Sequence, residues 1–337
     1  MIRRANVVIT MIPLAVAACH LASAQQPPTT TLTIDLANVV EYQEDIYDPV
    51  KFARNGSITP SAGIGSGGAI ANFVVVTVIG DIVAVNGQPA KGVYAGRTRV
   101  LNANPTPVPG QAIADVTRTA MREHMFEILQ SDGTPIGSIM SLGFSGGSPP
   151  PGQPSAERAN WVIAGGTGAF LGARGQVEGV GNSGRAASMA EDPANRRLNG
   201  GNPSRYILHI IPMTVPQIVT TPNGPAITHS SDFSLVNASK PAVAGETLSL
   251  FATGLGPVRG VVTGQPFPSN PLAAINSPVG VTVNGVPAEV LASVGYPGAV
   301  DGYQVNFQVP SETAKGPAVV QVSAAWIMGA TVSITVQ

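Results

Sequence analysis

The stretch "VGVTVNGVPAEV" alternates apolar with polar or small residues on both sides of Asn284-Gly285. A period of two is the side-chain period of a strand, and Asn-Gly tolerates the positive φ that a two-residue hairpin turn requires. The same grammar recurs upstream, in "NFVVVTVIGDIVAVNGQPAKGVY" around Asn86-Gly87 and in "FEILQSDGTPIGSIMSL" around Asp132-Gly133. Hairpins at this spacing confine the chain to an all-β fold. With 39 glycines and 30 prolines in 337 residues, turns are plentiful. Charged residues reach only 11%, against roughly 25% in ordinary soluble domains.

The strands fall into two regions. Near the C-terminus, "GYQVNFQVP" places Tyr303, Val305, Phe307 and Val309 on one face, and "GETLSLFATGLG" and "ATVSITVQ" add strands at similar intervals. Short, evenly spaced strands predict a sandwich of two sheets. Earlier come "TLTIDLANVVEY", the two hairpins and "RYILHII". Prolines at 212, 216, 222 and 225 interrupt any ladder and mark the boundary between them. The predicted organisation is therefore a leader over 1–24, a first β domain over 25–212, a linker and first strand region over 213–231, and a second β domain over 232–337. Asp115 to Leu129 fits a strand or a helix, and the strand is preferred because it runs into the Asp132-Gly133 turn. Gly181 to Asn202 reads as loop.

Arg3 and Arg4, the apolar run Val7 to Ala18, and Ala22-Ser23-Ala24 form the three parts of an export signal. Val16-Ala17-Ala18-Cys19 is a competing lipobox, which would make the mature chain a lipoprotein anchored through Cys19. The expected location is secreted or periplasmic. Cys19 is the sole cysteine, so no disulfide staples the mature fold. Ala69 to Val85 is the most apolar later segment, but Asn72, Gly80 and Asp81 interrupt it and a buried strand is expected. A net charge of -1 and the lack of a basic run exclude nucleic acid as partner.

Motifs that suggest chemistry fail on context. Gly63 to Gly68 matches G-x-G-x-x-G but precedes a valine-rich strand, whereas a phosphate cradle needs a helix there. Gly143-Phe144-Ser145-Gly146-Gly147 matches a hydrolase nucleophile elbow, yet "SPPPGQP" follows and cannot be helical. His124, His209 and His229 lack ligand spacing, so no metal and no cofactor are expected.

The glycine-rich segment "WVIAGGTGAFLGARGQVEG" resembles the GGTG-x-F-x-x-A-R-G segment of the dirigent and allene oxide cyclase-like proteins. The resemblance implies a closed eight-stranded β-barrel. In it Trp161 to Ala164 would be a strand, Gly165 to Gly168 a tight bend, Phe170 a core plug and Ala173 onward the returning strand. It also implies a small apolar lumen and, as in those families, a possible homotrimer. The chain from about residue 217 resembles an Ig-like (IPT/TIG-like) C-terminal module of secreted bacterial proteins, which implies a spacer or contact role.

Candidate ligand-binding residues are Arg118, Arg122, His124, Arg174, Glu191 and Arg196. Arg118, Arg122 and His124 share a strand face with Phe126, which is either the outer wall of the barrel or a polar lumen, the outer wall being preferred. Arg174 stands at the family's A-R-G arginine and is expected to cap carbonyls. Glu191, Asp192, Arg196 and Arg197 cluster in a loop, where solvated charges are the default. Two functions follow: a non-catalytic exported protein whose barrel binds a small apolar ligand or a partner, or a cofactor-free cyclase or stereochemical guide acting on a small hydrophobic substrate. The catalytic residues of such an enzyme are not identifiable from the sequence.

Overall fold

The computed structural model describes residues 29–43, 74–101, 120–145, 159–181, 184–188 and 191–337. The leader, Cys19 and the Gly63 to Gly68 motif lie outside these residues. Among the described residues, nine strands build the first unit: β1 (Thr30–Gln43), β2 (Val75–Val85), β3 (Gln88–Val100), β4 (Ala120–Gln130), β5 (Pro135–Ser145), β6 (Ala159–Gly166), β7 (Arg174–Gly181), β8 (Arg185–Ser188) and β9 (Asn202–Ile211). The order β2-β3-β4-β5-β6-β7-β9-β1 closes because β1 also pairs with β2. Eight antiparallel strands thus form a barrel whose wall has no free edge.

Alternation fills the inside. Leu32 and Ile34 of β1, Phe126 and Ile128 of β4, and Leu208 and Ile210 of β9 have no exposed surface. Each fully buried side chain of this kind contributes roughly 1.5–3 kcal/mol. Asn38, at φ 53°, sits in a bulge where the β1–β2 register shifts between Ala37 and Val40. The extra residue inverts the alternation. Val40 and Tyr42 consequently pack with Ile79 and Ala187 in a small separate cluster, and Ala187 belongs to β8, which runs parallel to the last residues of β1. β8 lies inside the stretch that reads as loop, a correction to the sequence expectation.

The glycines of the β6–β7 corner serve the backbone. A single turn of 3-10 helix, Gly168–Phe170, connects the two strands and buries Phe170. Gly168 has φ +61° and a Cβ there would stand 2.3 Å from the Ile136 carbonyl oxygen; at Gly175 a Cβ would stand 1.9 Å from that of His209. No side chain fits either position.

Ten strands make the second unit: β10 (Gln217–Ile218), β11 (Thr220–Thr221), β12 (Gly224–Pro225), β13 (Ile227–His229), β14 (Thr247–Thr253), β15 (Val279–Val283), β16 (Val286–Gly295), β17 (Tyr303–Gln308), β18 (Gly316–Ala324) and β19 (Ile327–Val336). The path β10-β14-β17-β16-β15-β18-β19 bends at β16: Val286 to Ala288 pair with β15, while Glu289 to Gly295 pair with β17. Leu248, Leu250, Val305 and Phe307 from one limb and Val281, Val320, Val322 and Ile334 from the other share one core. Asn284 and Gly285, at φ 50° and 78°, form the hairpin turn that Asn-Gly is suited to make.

The two units touch at one end of the barrel, where the turns at Asn86-Gly87, Asp132-Gly133 and Gly168 to Phe170 gather. Ala325 and Ile327, at the β18–β19 turn, belong to the same buried cluster as the barrel interior, and Trp326 packs against it. Trp326 Nε1 donates to Gln88 Oε1 at 2.9 Å. Arg259 donates to Asp132 at 3.1 Å and to the Thr134 hydroxyl, and Gln130 donates to the Asn276 carbonyl. Ala325 and Trp326 hold positive φ, 49° and 63°, without being glycine or asparagine. Packing into the barrel base is what keeps so unfavourable a turn in place. The opposite end, bounded by Gln43, Val100, Ala120 and Ser145, faces away from the second unit.

Candidate functional site

The upper half of the lumen, toward that far end, differs in chemistry from the lower half. Period two aims Ala120, Arg122, His124, Phe126 and Ile128 of β4 to one side and Met121, Glu123, Met125 and Glu127 to the other. His124 and Phe126 are buried, so this face points into the lumen. The preferred outer-wall placement of His124 is thereby corrected. Alternation establishes which residues share a face, and only closure of the barrel decides which face goes inward. Arg118 lies outside the described residues.

Four aromatic residues surround the imidazole. The Tyr94 hydroxyl lies 2.6 Å from His124 Nδ1 and 2.7 Å from the Tyr206 hydroxyl. Tyr94 stacks against His124 at 5.6 Å between ring centroids, Trp161 covers it at 4.7 Å, and Phe126 closes the group below through Tyr94 and Tyr206. Gly96 faces His124 across the β3–β4 ladder, and a Cβ there would come within 3.2 Å of Nδ1. The absent side chain leaves the ring its place. The Arg122 guanidinium sits 5.4 Å over the Trp161 ring, a cation–π contact.

Burial, helped by the Arg122 charge, pushes the His124 imidazole down to about 3. It is therefore neutral across the physiological range. Burial, reinforced by Tyr206, holds the Tyr94 hydroxyl well above its ordinary value. The group is a set of neutral hydrogen-bonding side chains.

Four polar atoms of this region are buried without a hydrogen-bond partner among the described residues: His124 Nε2, Trp161 Nε1, and the hydroxyls of Ser141 and Ser145. They come from three neighbouring strands. Ser141 stands opposite His124, and Trp161 opposite Gly143, in the β4–β5–β6 ladder. A buried polar atom left unpaired costs about 1–3 kcal/mol, so four together are unusual in a finished core.

The other candidates lie elsewhere. Arg174 is at the base, where Nη1 donates to the carbonyls of Ala164 and Ala173, each at 3.0 Å. Arg196 is buried against the outer face of β2, with Nη2 2.6 Å from Asp81 and Nη1 2.5 Å from the Asn38 carbonyl. Arg197 adds a two-pronged contact to the same carboxylate. Burial alone would raise Asp81, but the hydrogen bonds from Arg197 and Arg196 outweigh it and hold the carboxyl well below the usual range. Glu191 pairs with Arg185 at 2.6 and 3.0 Å, which lowers its carboxyl. These residues pin a loop to the wall, and the expectation of freely solvated charges is corrected for Arg196 and Glu191. Tyr94, Tyr206, Trp161, Ser141 and Ser145 are the lumen residues the sequence reading did not assign to a site.

Fold and lumen together define a closed antiparallel barrel with a polar upper interior, joined at its base to a second β unit. No family model matches the chain, and no curated protein matches it. Among solved structures, a polysaccharide lyase aligns with 91% of this chain at 9% identity and a TM-score of 0.18. The chain spans 40% of that protein's length.

Proposed function

We propose that this chain is an exported binding protein whose barrel takes up a small, mostly apolar molecule carrying one or two polar atoms. The molecule enters at the end bounded by Ala120 and Ser145 and rests against Trp161 and His124. One observation carries this reading: the four polar atoms without a partner among the described residues, which step from the His124–Ser141 pair through Trp161 to Ser145 at the open end and which a ligand's polar groups would satisfy. Apolar walls with a few placed polar groups are the usual make-up of small-molecule sites.

Binding is favoured over catalysis by the state of His124. An imidazole pushed down to about 3 is too weak a base to take a proton near neutrality. The cyclase or stereochemical-guide reading draws support from the closed barrel and the family resemblance alone, and fold by itself does not imply activity. The second unit, read as an Ig-like sandwich folded about β16, is a contact module that closes the barrel base.

Trp161 and Trp326 are the two tryptophans. In a Trp326→Phe background, Trp161 emission should respond saturably to some members of a panel of small phenols and indoles. A His124→Leu change should abolish that response. A flat titration across the panel would remove the lumen as a binding site.

A further inference from the structure

We infer that a groove on the outer wall of the barrel binds a fatty-acid-like carboxylate, with its head on arginines of β3 and its chain along β4 and β5. The groove holds about 300 Å³ and lies at the far end of β3, β4 and β5, which is the lower limit of ordinary small-molecule pockets. It is separate from the lumen reading, because its defining side chains point outward.

Charge fixes the head. Arg97 and Arg99, on the outer face of β3, line the groove against one carboxylate, Glu123; Arg122 borders it as well, but from the lumen-facing side of β4. The outward-facing charges are two positive and one negative, a formal excess of one, in a chain whose net charge is -1. Arg97 is paired with Glu123 at 2.9 Å. Arg99 makes no hydrogen bond or ion pair among the described residues, and it is exposed. An anion recognised here gains a charge-assisted contact without displacing an existing partner.

The apolar wall fixes the tail. Arg99, Met121 and Phe144 are successive cross-strand partners, and Leu142 follows on β5. Beyond the groove, Met125 and Met140 face each other across the same ladder. These five apolar residues are between 39% and 50% exposed, a continuous strip where single exposed residues would need no explanation. Four are methionine or leucine side chains of adaptable shape, suited to a flexible chain. A second copy docking face to face through this wall would set like charges against each other, whereas an anionic amphiphile matches both ends of the strip.

The test is calorimetric titration of the whole protein with decanoate below its micelle concentration. Saturable binding is expected, weaker by about tenfold or more in Arg99→Glu, weaker in Leu142→Gln, and weaker for decanol than for decanoate. Trp161 should answer phenols equally in Arg99→Glu and the parent, so that failure here and failure of the lumen reading are told apart. Three results would each overturn the inference: equal decanoate binding in Arg99→Glu, decanol bound as tightly as decanoate, or a sedimentation mass above one chain that drops in Leu142→Gln, which would give the wall to a second copy.

Discussion

The Tyr94 hydroxyl is the shared partner of His124 Nδ1 and the Tyr206 hydroxyl, at 2.6 and 2.7 Å, and so joins β3, β4 and β9 across the barrel interior. Its ring is fully buried. Tyr94→Phe keeps the ring and deletes the bridge, leaving Nδ1 without its partner. Urea unfolding should show a loss of about 1–3 kcal/mol. A change near zero would mean that the bridge contributes nothing net.

The buried imidazole makes stability depend on pH. In the folded chain His124 is pushed down to about 3, and unfolding returns it to its ordinary 6.5. Between these values the unfolded chain binds the extra proton, so stability rises with pH there. It is fully present above about 6.5 and lost as pH falls toward 3, at ~1.4 kcal/mol for each pKa unit of displacement. Carboxylates such as Asp81 begin to add their own loss only near and below pH 4. His124→Phe should therefore flatten the stability profile between pH 6.5 and 4 and leave the steeper acid limb. Parallel profiles for parent and variant would contradict the burial of this ring.

What the sequence made legible, and what it did not, follows from range. Asn86-Gly87 and Asn284-Gly285 were readable because positive φ at both turn positions is a local demand, and all four residues meet it. The shared face of Arg122, His124 and Phe126 was readable from alternation, its direction was not. Arg196 looked solvated because Asp81, its partner, is 115 positions away. Tyr94 and Tyr206 are 112 apart, and nothing in either neighbourhood points to the other. β8 is four residues long, too short for a period to show, and the Asn38 bulge inverted an alternation that otherwise reads cleanly.

The Asp81 cluster separates a buried ion pair from an exposed one on a single carboxylate. The Arg196 side chain is 9% exposed and that of Arg197 is 71% exposed. Asp81→Asn strands the buried guanidinium and should cost about 3 kcal/mol or more. Arg197→Ala should cost less than about 1 kcal/mol. Limited proteolysis adds a local readout: cleavage between residues 191 and 200 should rise sharply in Asp81→Asn and little in Arg197→Ala. Equal effects of the two changes would show that burial does not set the strength of this contact.

The β18–β19 turn should make the two units unfold together. Ile327, of the second unit, is buried within the barrel's cluster, and Ala325 is buried beside it. Ile327→Ala removes packing that belongs to both units and should cost about 2–5 kcal/mol. The Arg259–Asp132 pair spans the same interface, but both side chains are more than half exposed, so Arg259→Ala should cost little. Calorimetry of the parent should show one transition, and Ile327→Ala should move that whole transition to lower temperature. The second unit would be shown to be a mere spacer by two resolved transitions of which the substitution moves only the one not reported by Trp161, since a barrel with an independent base would keep its own stability.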